Sequence, residues 1–203
     1  LSSVRVGSAP DYSTCSWTYE NSTGEAASFS AGGSLDLSET YASDPATGTY
    51  PYAVMLISKD FNIKGKFGPV GGKTYYSTTT FQTSSTDSDD YATQVAPLNT
   101  FGGDEVCVAY TEGEVVTDGT ISAYLINSSG ILLDSDSSLS ECSGQEKLLG
   151  VMKMSSDLTI SDATKGLKMT FTVTNNGMSV VTNETGSDIY VDSGPFSVKF
   201  QTF

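Results

Sequence analysis

Three carboxylates within four residues, Asp87, Asp89 and Asp90, form a dense cluster of hard oxygen ligands, the composition of a loop that can hold Ca²⁺. A second D-x-D begins at Asp134 and Asp136, but the sixth position of that stretch is Leu139 and the twelfth is Gln145, so it does not make an EF-hand loop. On a chain with 24 acidic against 10 basic residues, acidic loops are ordinarily just solvated. Two carboxylates at the right separation also suffice for glycoside hydrolysis, yet nothing in the spacing selects a pair from the 24. Histidine is absent altogether, which removes Ser-His-Asp and Cys-His nucleophilic sites and His-bearing metal sites. There is no C-x-x-C redox motif and no glycine-rich phosphate loop ending in Lys. The expectation is a protein that is not an enzyme and needs no cofactor, with Ca²⁺ at Asp87, Asp89 and Asp90 the one metal to consider.

The three cysteines allow three single pairings. Cys107 sits in the alternating run V-C-V-A-Y-T and Cys142 follows a Ser/Asp-rich stretch. A bridge between them would close a loop of about 35 residues and leave Cys15 over; the alternative is three small buried thiols. Three N-x-S/T sequons, at Asn21, Asn127 and Asn183, fall beside turn residues where a glycan would reach solvent. Charged residues make up only 17% of the chain, and the polar surface must be built largely from 31 Ser and 25 Thr. Together these features point to an exported, extracellular or cell-surface protein. No basic region followed by an apolar stretch is present, so an exported form would have shed its signal. The longest apolar run, 50–57, falls well short of the roughly 18 residues a membrane span needs. The net charge of −14 argues against nucleic acid as a partner.

The elements that would carry these residues have period two. Leu167, Met169, Phe171 and Val173 alternate with Lys168, Thr170, Thr172 and Thr174, the pattern of a half-buried strand. Asn175-Asn176-Gly177 predicts a tight turn, with 178–182 returning as the hairpin partner. Further strands are predicted over 14–19, 34–37, 52–58, 61–67, 74–81, 106–111, 121–127, 131–134, 148–154 and 188–191. The stretch 141–152 is the best place for a turn or two of helix, while 83–91 and 134–141 read as solvated loops. Many short strands punctuated by Gly32-Gly33, Gly71-Gly72, Gly102-Gly103, Asp118-Gly119 and Gly194-Pro195 predict an all-β antiparallel sandwich, jelly-roll or immunoglobulin-like, with little helix. Phe196, Val198 and Phe200 alternate with polar residues up to Phe203, so this last strand must dock into a sheet. Residues 1–12 read as an arm and 13–203 as a single sandwich domain.

Residues 29–37, F-S-A-G-G-S-L-D-L, resemble the F-x-A-G-x-L-D-L segment near the start of TasA/camelysin-like proteins, with one extra residue before Leu-Asp-Leu. The stretch 165–177 is similar to that family's later Gly-turn, Thr/Val alternation and Asn-Gly turn, though it lies farther along. These are extracellular fibre-forming β-sandwich subunits of biofilms and pili. The resemblance implies head-to-tail polymerisation in which one copy's first strand completes its neighbour's sandwich. Leu1, Val4 and Val6 would be the donor strand and Gly7 to Pro10 its hinge, giving an adhesive homopolymer. The competing reading is that Val4 and Val6 pair in their own sheet. The alternative function is a secreted, lectin-like module, calcium-dependent or not, that binds surface glycans through Trp17 or through rings at Tyr75-Tyr76 and Tyr50-Pro51-Tyr52. A two-carboxylate hydrolase ranks third.

Overall fold

Residues Leu148 to Met154 read L-L-G-V-M-K-M, apolar on both alternating faces except at Lys153. A strand of that kind is satisfied only where both faces are covered. In the computed structural model it forms the first half of β9 (Lys147–Ile160), the longest strand and an inner strand of its sheet. The structure describes residues 11–21, 23, 44–102, 106–116, 118–172, 178–182, 189–193 and 197–203. Among these the secondary structure is antiparallel strand, and the one helical piece is a single 3-10 turn over Ser88–Asp90.

The chain packs as two compact units. The first takes the described parts of Leu1–Ser58, Asn99–Thr172 and Ser197–Phe203. Its four-stranded sheet runs β1 (Gly48–Ser58), β9, β8 (Gly119–Ile126), β7 (Tyr110–Val116). In register, Leu149 lies beside Leu56 and Tyr124, and Val151 beside Val54, on one face. Gly150 lies beside Met55 and Ala123, and Met152 beside Ala53 and Ile121, on the other. Tyr124, Leu125, Ile126, Leu149 and Met152 are all essentially removed from solvent. Burying side chains of this size contributes roughly 1.5–3 kcal/mol each. A separate ribbon pairs β10 (Leu167–Thr172) with β13 (Ser197–Thr202). Val198 and Phe200 of that ribbon line, with Ala53, Met55, Ile121, Gly150 and Met152, an apolar crease with no room for a water molecule. Lys199, on the alternate face of β13, pairs with Asp118 in the β7–β8 turn at 3.2 Å.

The second unit takes the described parts of Lys59–Leu98 and Val173–Phe196. It contains a three-stranded sheet, β3 (Lys66–Val70), β4 (Lys73–Ser77) and β5 (Ser84–Ser85). Two strand pairs accompany it: β2 (Asp60–Ile63) with β6 (Gln94–Pro97), and β11 (Met178–Thr182) with β12 (Ile189–Ser193).

Several local expectations are corrected. The helical reading of 141–152 fails: no helix forms, and Leu148 to Met152 are strand, because an apolar set on two opposite faces suits a covered sheet rather than a striped helix. The predicted 167–173 and 178–182 hairpin is not formed. β10 pairs with β13, matching Met169 to Phe200 and Phe171 to Val198, while β11 pairs with β12. That exchange joins two strands of the same apolar alternation, which a local turn signal cannot weigh. Residues 14–19 are not a strand, since Asp11 accepts from the Ser13 N–H at 2.9 Å and the Cys15 N–H bonds the Tyr12 carbonyl at 3.0 Å, closing a turn. Residues 61–67 divide between β2 and β3, 74–81 is strand only to Ser77, and 131–134 reduces to a bridge between Leu132 and Ile126. β6 and the second half of β9 are strands that the periodicity does not single out. The predicted strand 34–37 lies outside the described residues.

Two glycines of this sheet respond oppositely to a methyl group. At Gly150 an added Cβ meets first the Met55 methyl, at 3.3 Å, the far end of a flexible side chain that can yield by the few tenths of an ångström required. At Gly119, with φ +155°, it would lie 2.1 Å from the Lys153 carbonyl oxygen. Gly150→Ala is therefore expected to stabilise the protein by about 0.5–1 kcal/mol. Gly119→Ala should destabilise it by roughly 2–4 kcal/mol. Urea unfolding of the two variants checks both signs.

Candidate functional site

Among the described residues the features with functional potential are an unpaired sheet edge, a disulfide-strapped loop, turn-borne asparagines and a row of aromatic and cationic side chains. A strand edge exposes main-chain donors and acceptors and is ordinarily blunted by charge, proline or a bulge. Edge strand β7 is blunted: its register breaks between Thr111 and Glu114 at Gly113 (φ +72°), with Glu112 and Glu114 on either side. Edge strand β3 is blunted by Gly68-Pro69, where the pairing with β4 slips between Phe67 and Val70. In β1 only the first half is interrupted, by Pro51 between Tyr50 and Tyr52. From Ala53 to Ile57 the strand reads A-V-M-L-I in unbroken register with Met152 to Leu148. It has no charge, glycine or proline there, and β1 is the outermost strand of its sheet among the described residues. The proposed donor residues Leu1, Val4 and Val6 lie outside the described residues, as does the 29–37 segment.

The bridge between Cys107 and Cys142 is present, with both residues buried, and Cys15 is a free thiol. Partial burial pushes the Cys15 thiol above its ordinary pKa and makes it a poor nucleophile. The polypeptide inside the bridge is strapped down further. The Cys107 N–H bonds the Leu139 carbonyl at 2.6 Å, and the Asp136 N–H bonds the Cys107 carbonyl at 3.0 Å. Asp136 in turn accepts from the Ser138 hydroxyl at 2.7 Å and its N–H at 2.8 Å, contacts that hold the carboxyl below its ordinary pKa. At the other end the Cys142 N–H bonds the Asn99 carbonyl at 3.1 Å, while the Asn99 side chain links Glu141 to Gln145. Thus 134–141 is held against 107 at several points, more than a solvated loop requires.

Both sequons within the described residues occupy turns. Asn21 Oδ1 accepts from the Thr23 N–H and hydroxyl at 3.1 and 2.8 Å. Asn127 Oδ1 accepts from the N–H groups of Ser129 and Ile131 at 2.9 and 3.0 Å. In each case the oxygen is committed to the turn, which fixes the orientation of the side-chain amide whose nitrogen carries the sugar in any N-glycosylated asparagine. Asn183 lies outside the described residues.

The acidic cluster does not come together as a cation site. Asp87 Oδ1 accepts from the Asp89 N–H at 2.9 Å and caps the 3-10 turn, whereas Asp90 Oδ2 accepts from the Ser85 hydroxyl at 2.5 Å. Among the described residues no group of three or more acidic or cysteine side chains is arranged to hold a metal ion. The carboxylates of Asp87 and Asp90 are spent on shaping the turn.

What this turn does position is Tyr91. Fully buried Ser77 accepts from the Gly65 N–H at 3.1 Å and donates to the Ala92 carbonyl at 2.7 Å. Its main chain bonds both residues again, N–H to Gly65 O and O to Ala92 N–H, each at 3.0 Å. Three segments are thereby locked side by side, and the residues just before them, Lys64, Tyr76 and Tyr91, meet. The Tyr76 and Tyr91 rings lie 5.5 Å apart, and Lys64 Nζ sits 4.6 Å above the Tyr91 ring. Sequence reasoning noted Tyr76 but missed Tyr91 and Lys64, whose partnership depends on a serine that looks like any other of the 31.

No family model, curated protein or solved structure matches the chain. No helix among the described residues is long and apolar enough to cross a membrane.

Two expectations follow. Replacing Cys107 and Cys142 by Ser should cost about 3–4 kcal/mol, from the 35-residue separation they bridge, and denaturant unfolding would read it. Tyr124, 1% exposed and donating to Glu112 at 3.0 Å, has its phenol pushed up to about 12, first by burial and then by that carboxylate. The folded protein keeps this proton after the unfolded chain, at roughly pKa 10, has lost it, so stability is complete below that pH and falls as pH rises from about 10 towards 12. Tyr124→Phe should flatten that alkaline loss in thermal melts across the range.

Proposed function

We propose that the protein is a structural subunit of an extracellular filament, pilus or biofilm fibre that grows head to tail by strand addition and serves in adhesion. The observation that carries this reading is the β1 edge from Ala53 to Ile57, five apolar residues in unbroken register on the strand that is outermost among the described residues, where β7 and β3 are both blunted. An unguarded apolar edge is a template for another strand. Val4 and Val6 supply alternating side chains to one face of such a strand, with Leu1 on the opposite face, and Gly7 to Pro10 a hinge that lets it leave its own body. A contact between two different surfaces of one chain repeats without closing and produces a fibre.

In this reading the first unit is a two-layer sandwich, with the β10–β13 ribbon laid over the four-stranded sheet through Val198 and Phe200. The bridge between Cys107 and Cys142 and the turn-borne Asn21 and Asn127 fit an oxidising, glycan-bearing extracellular compartment. The F-S-A-G-G-S-L-D-L resemblance to TasA/camelysin-like subunits supports the same assignment. The subunit performs no catalysis, and its principal partner is another copy of itself.

Negative-stain electron microscopy of the purified full-length chain, with and without residues 1–7, tests the proposal. Filaments with a regular axial repeat are expected for the full chain, and a monomer for the deletion. Addition of a peptide of residues 1–6 in excess should cap growing ends. A full chain that stays a uniform particle of about 21 kDa, or filaments that persist without residues 1–7, would overturn strand donation.

A further inference from the structure

We propose that the second unit carries a binding face for neutral saccharides, centred on Tyr76 and Tyr91. Across the three-stranded sheet Tyr76 stands in register with Lys66 on one side and Ser85 on the other, so these three side chains share a face. The Ser85 hydroxyl holds Asp90 Oδ2 at 2.5 Å, which brings a carboxylate to the flank of Tyr76. Tyr91, 36% exposed, leans on Tyr76 with its ring tilted by 57°, and Lys64 closes the far side.

A pyranose ring offers a patch of C–H groups on one face and hydroxyls around its rim. The first packs against an aromatic ring; the second need donors and acceptors together. This face supplies two phenol rings, ammonium donors at Lys64 and Lys66, and acceptors at Asp90 and the tyrosine hydroxyls. The buried Ser77 clamp fixes the main chain beneath them, so the rings are held before any ligand arrives.

Charge selects among ligands. Asp90 lies on the flank of Tyr76 on a chain of net charge −14, which disfavours sialylated or sulfated sugars. A cationic ligand would compete with Lys64 for the Tyr91 ring. A neutral sugar escapes the charge penalty and, stacking on the ring face away from Lys64, leaves that ammonium in place as a hydrogen-bond donor. The site is independent of filament assembly and stands or falls separately.

Saturation-transfer NMR on the full-length chain, with triacetylchitotriose, cellotriose and mannotriose as probes and 3′-sialyllactose and choline as comparators, provides the test. At least one neutral trisaccharide is expected to bind with millimolar or better affinity, saturating ring C–H protons most. Tyr91→Ala should weaken that binding about tenfold, and Tyr91→Phe should retain most of it. Ser85→Ala, on the opposite flank, should weaken it by a smaller factor, with a modest drop in melting temperature because the same hydroxyl also bonds Asp90 and the Asp87 N–H. No binding of any neutral probe, binding indifferent to Tyr91→Ala and Ser85→Ala alike, or preference for sialyllactose or choline would overturn the proposal.

Discussion

The apolar contact between Leu149, Met152 and the strands on either side of β9 is the constraint on which the first unit depends. Both faces of Leu148 to Met152 require cover, and β9 lies inside its sheet with β1 and β8 hydrogen-bonded on its two sides. β8 is subject to a similar demand, since Tyr124, Leu125 and Ile126 are all buried although successive strand residues face opposite ways. Val198 and Phe200 then approach one face, and Glu112 holds the Tyr124 hydroxyl near the other. Leaving that phenol without a partner would cost more than the hydrogen bond itself is worth.

The all-β character was legible in the sequence because period-two alternation and turn residues are local signals. The strand around Val198 follows that alternation closely, while those around Val54, Leu125 and Met152 show instead as short continuous apolar runs bounded by turn residues. Pairing was not legible. Asn175-Asn176-Gly177 is a strong hairpin signal, yet β10 joins β13 and β11 joins β12, because the register that matches Met169 to Phe200 is set by side chains far apart in sequence. The bridge between Cys107 and Cys142 was one of three open pairings and became definite only with Leu139 and Asp136 holding the Cys107 main chain. The division into two units was hidden as well, since 59–98 and 173–196 have no linker composition at their borders.

The surface chemistry was half legible. The carboxylates of Asp87 and Asp90 were visible as a cluster, but a cluster in sequence says nothing about where oxygens point, and here they bond the Asp89 amide and the Ser85 hydroxyl. The aromatic row was invisible in its essential part. Lys64, Tyr76 and Tyr91 are separated by 12 and 15 residues along the chain at their Ser77 contacts, and one hydroxyl with its own backbone brings all three together. In a chain so rich in serine, only the loss of exposure distinguishes that residue from its neighbours.

The covalent bond between Cys107 and Cys142 also sets a mechanical limit. It encloses β7 and β8, so tension applied to the chain outside the loop runs from one sulfur to the other and bypasses both strands. The 35-residue separation corresponds to roughly 120 Å of contour length that pulling cannot release while the bond is intact. Under such a pull the protein would lengthen only by unravelling what lies outside the bridge, and the enclosed segment would stay within the reach of its own closed loop.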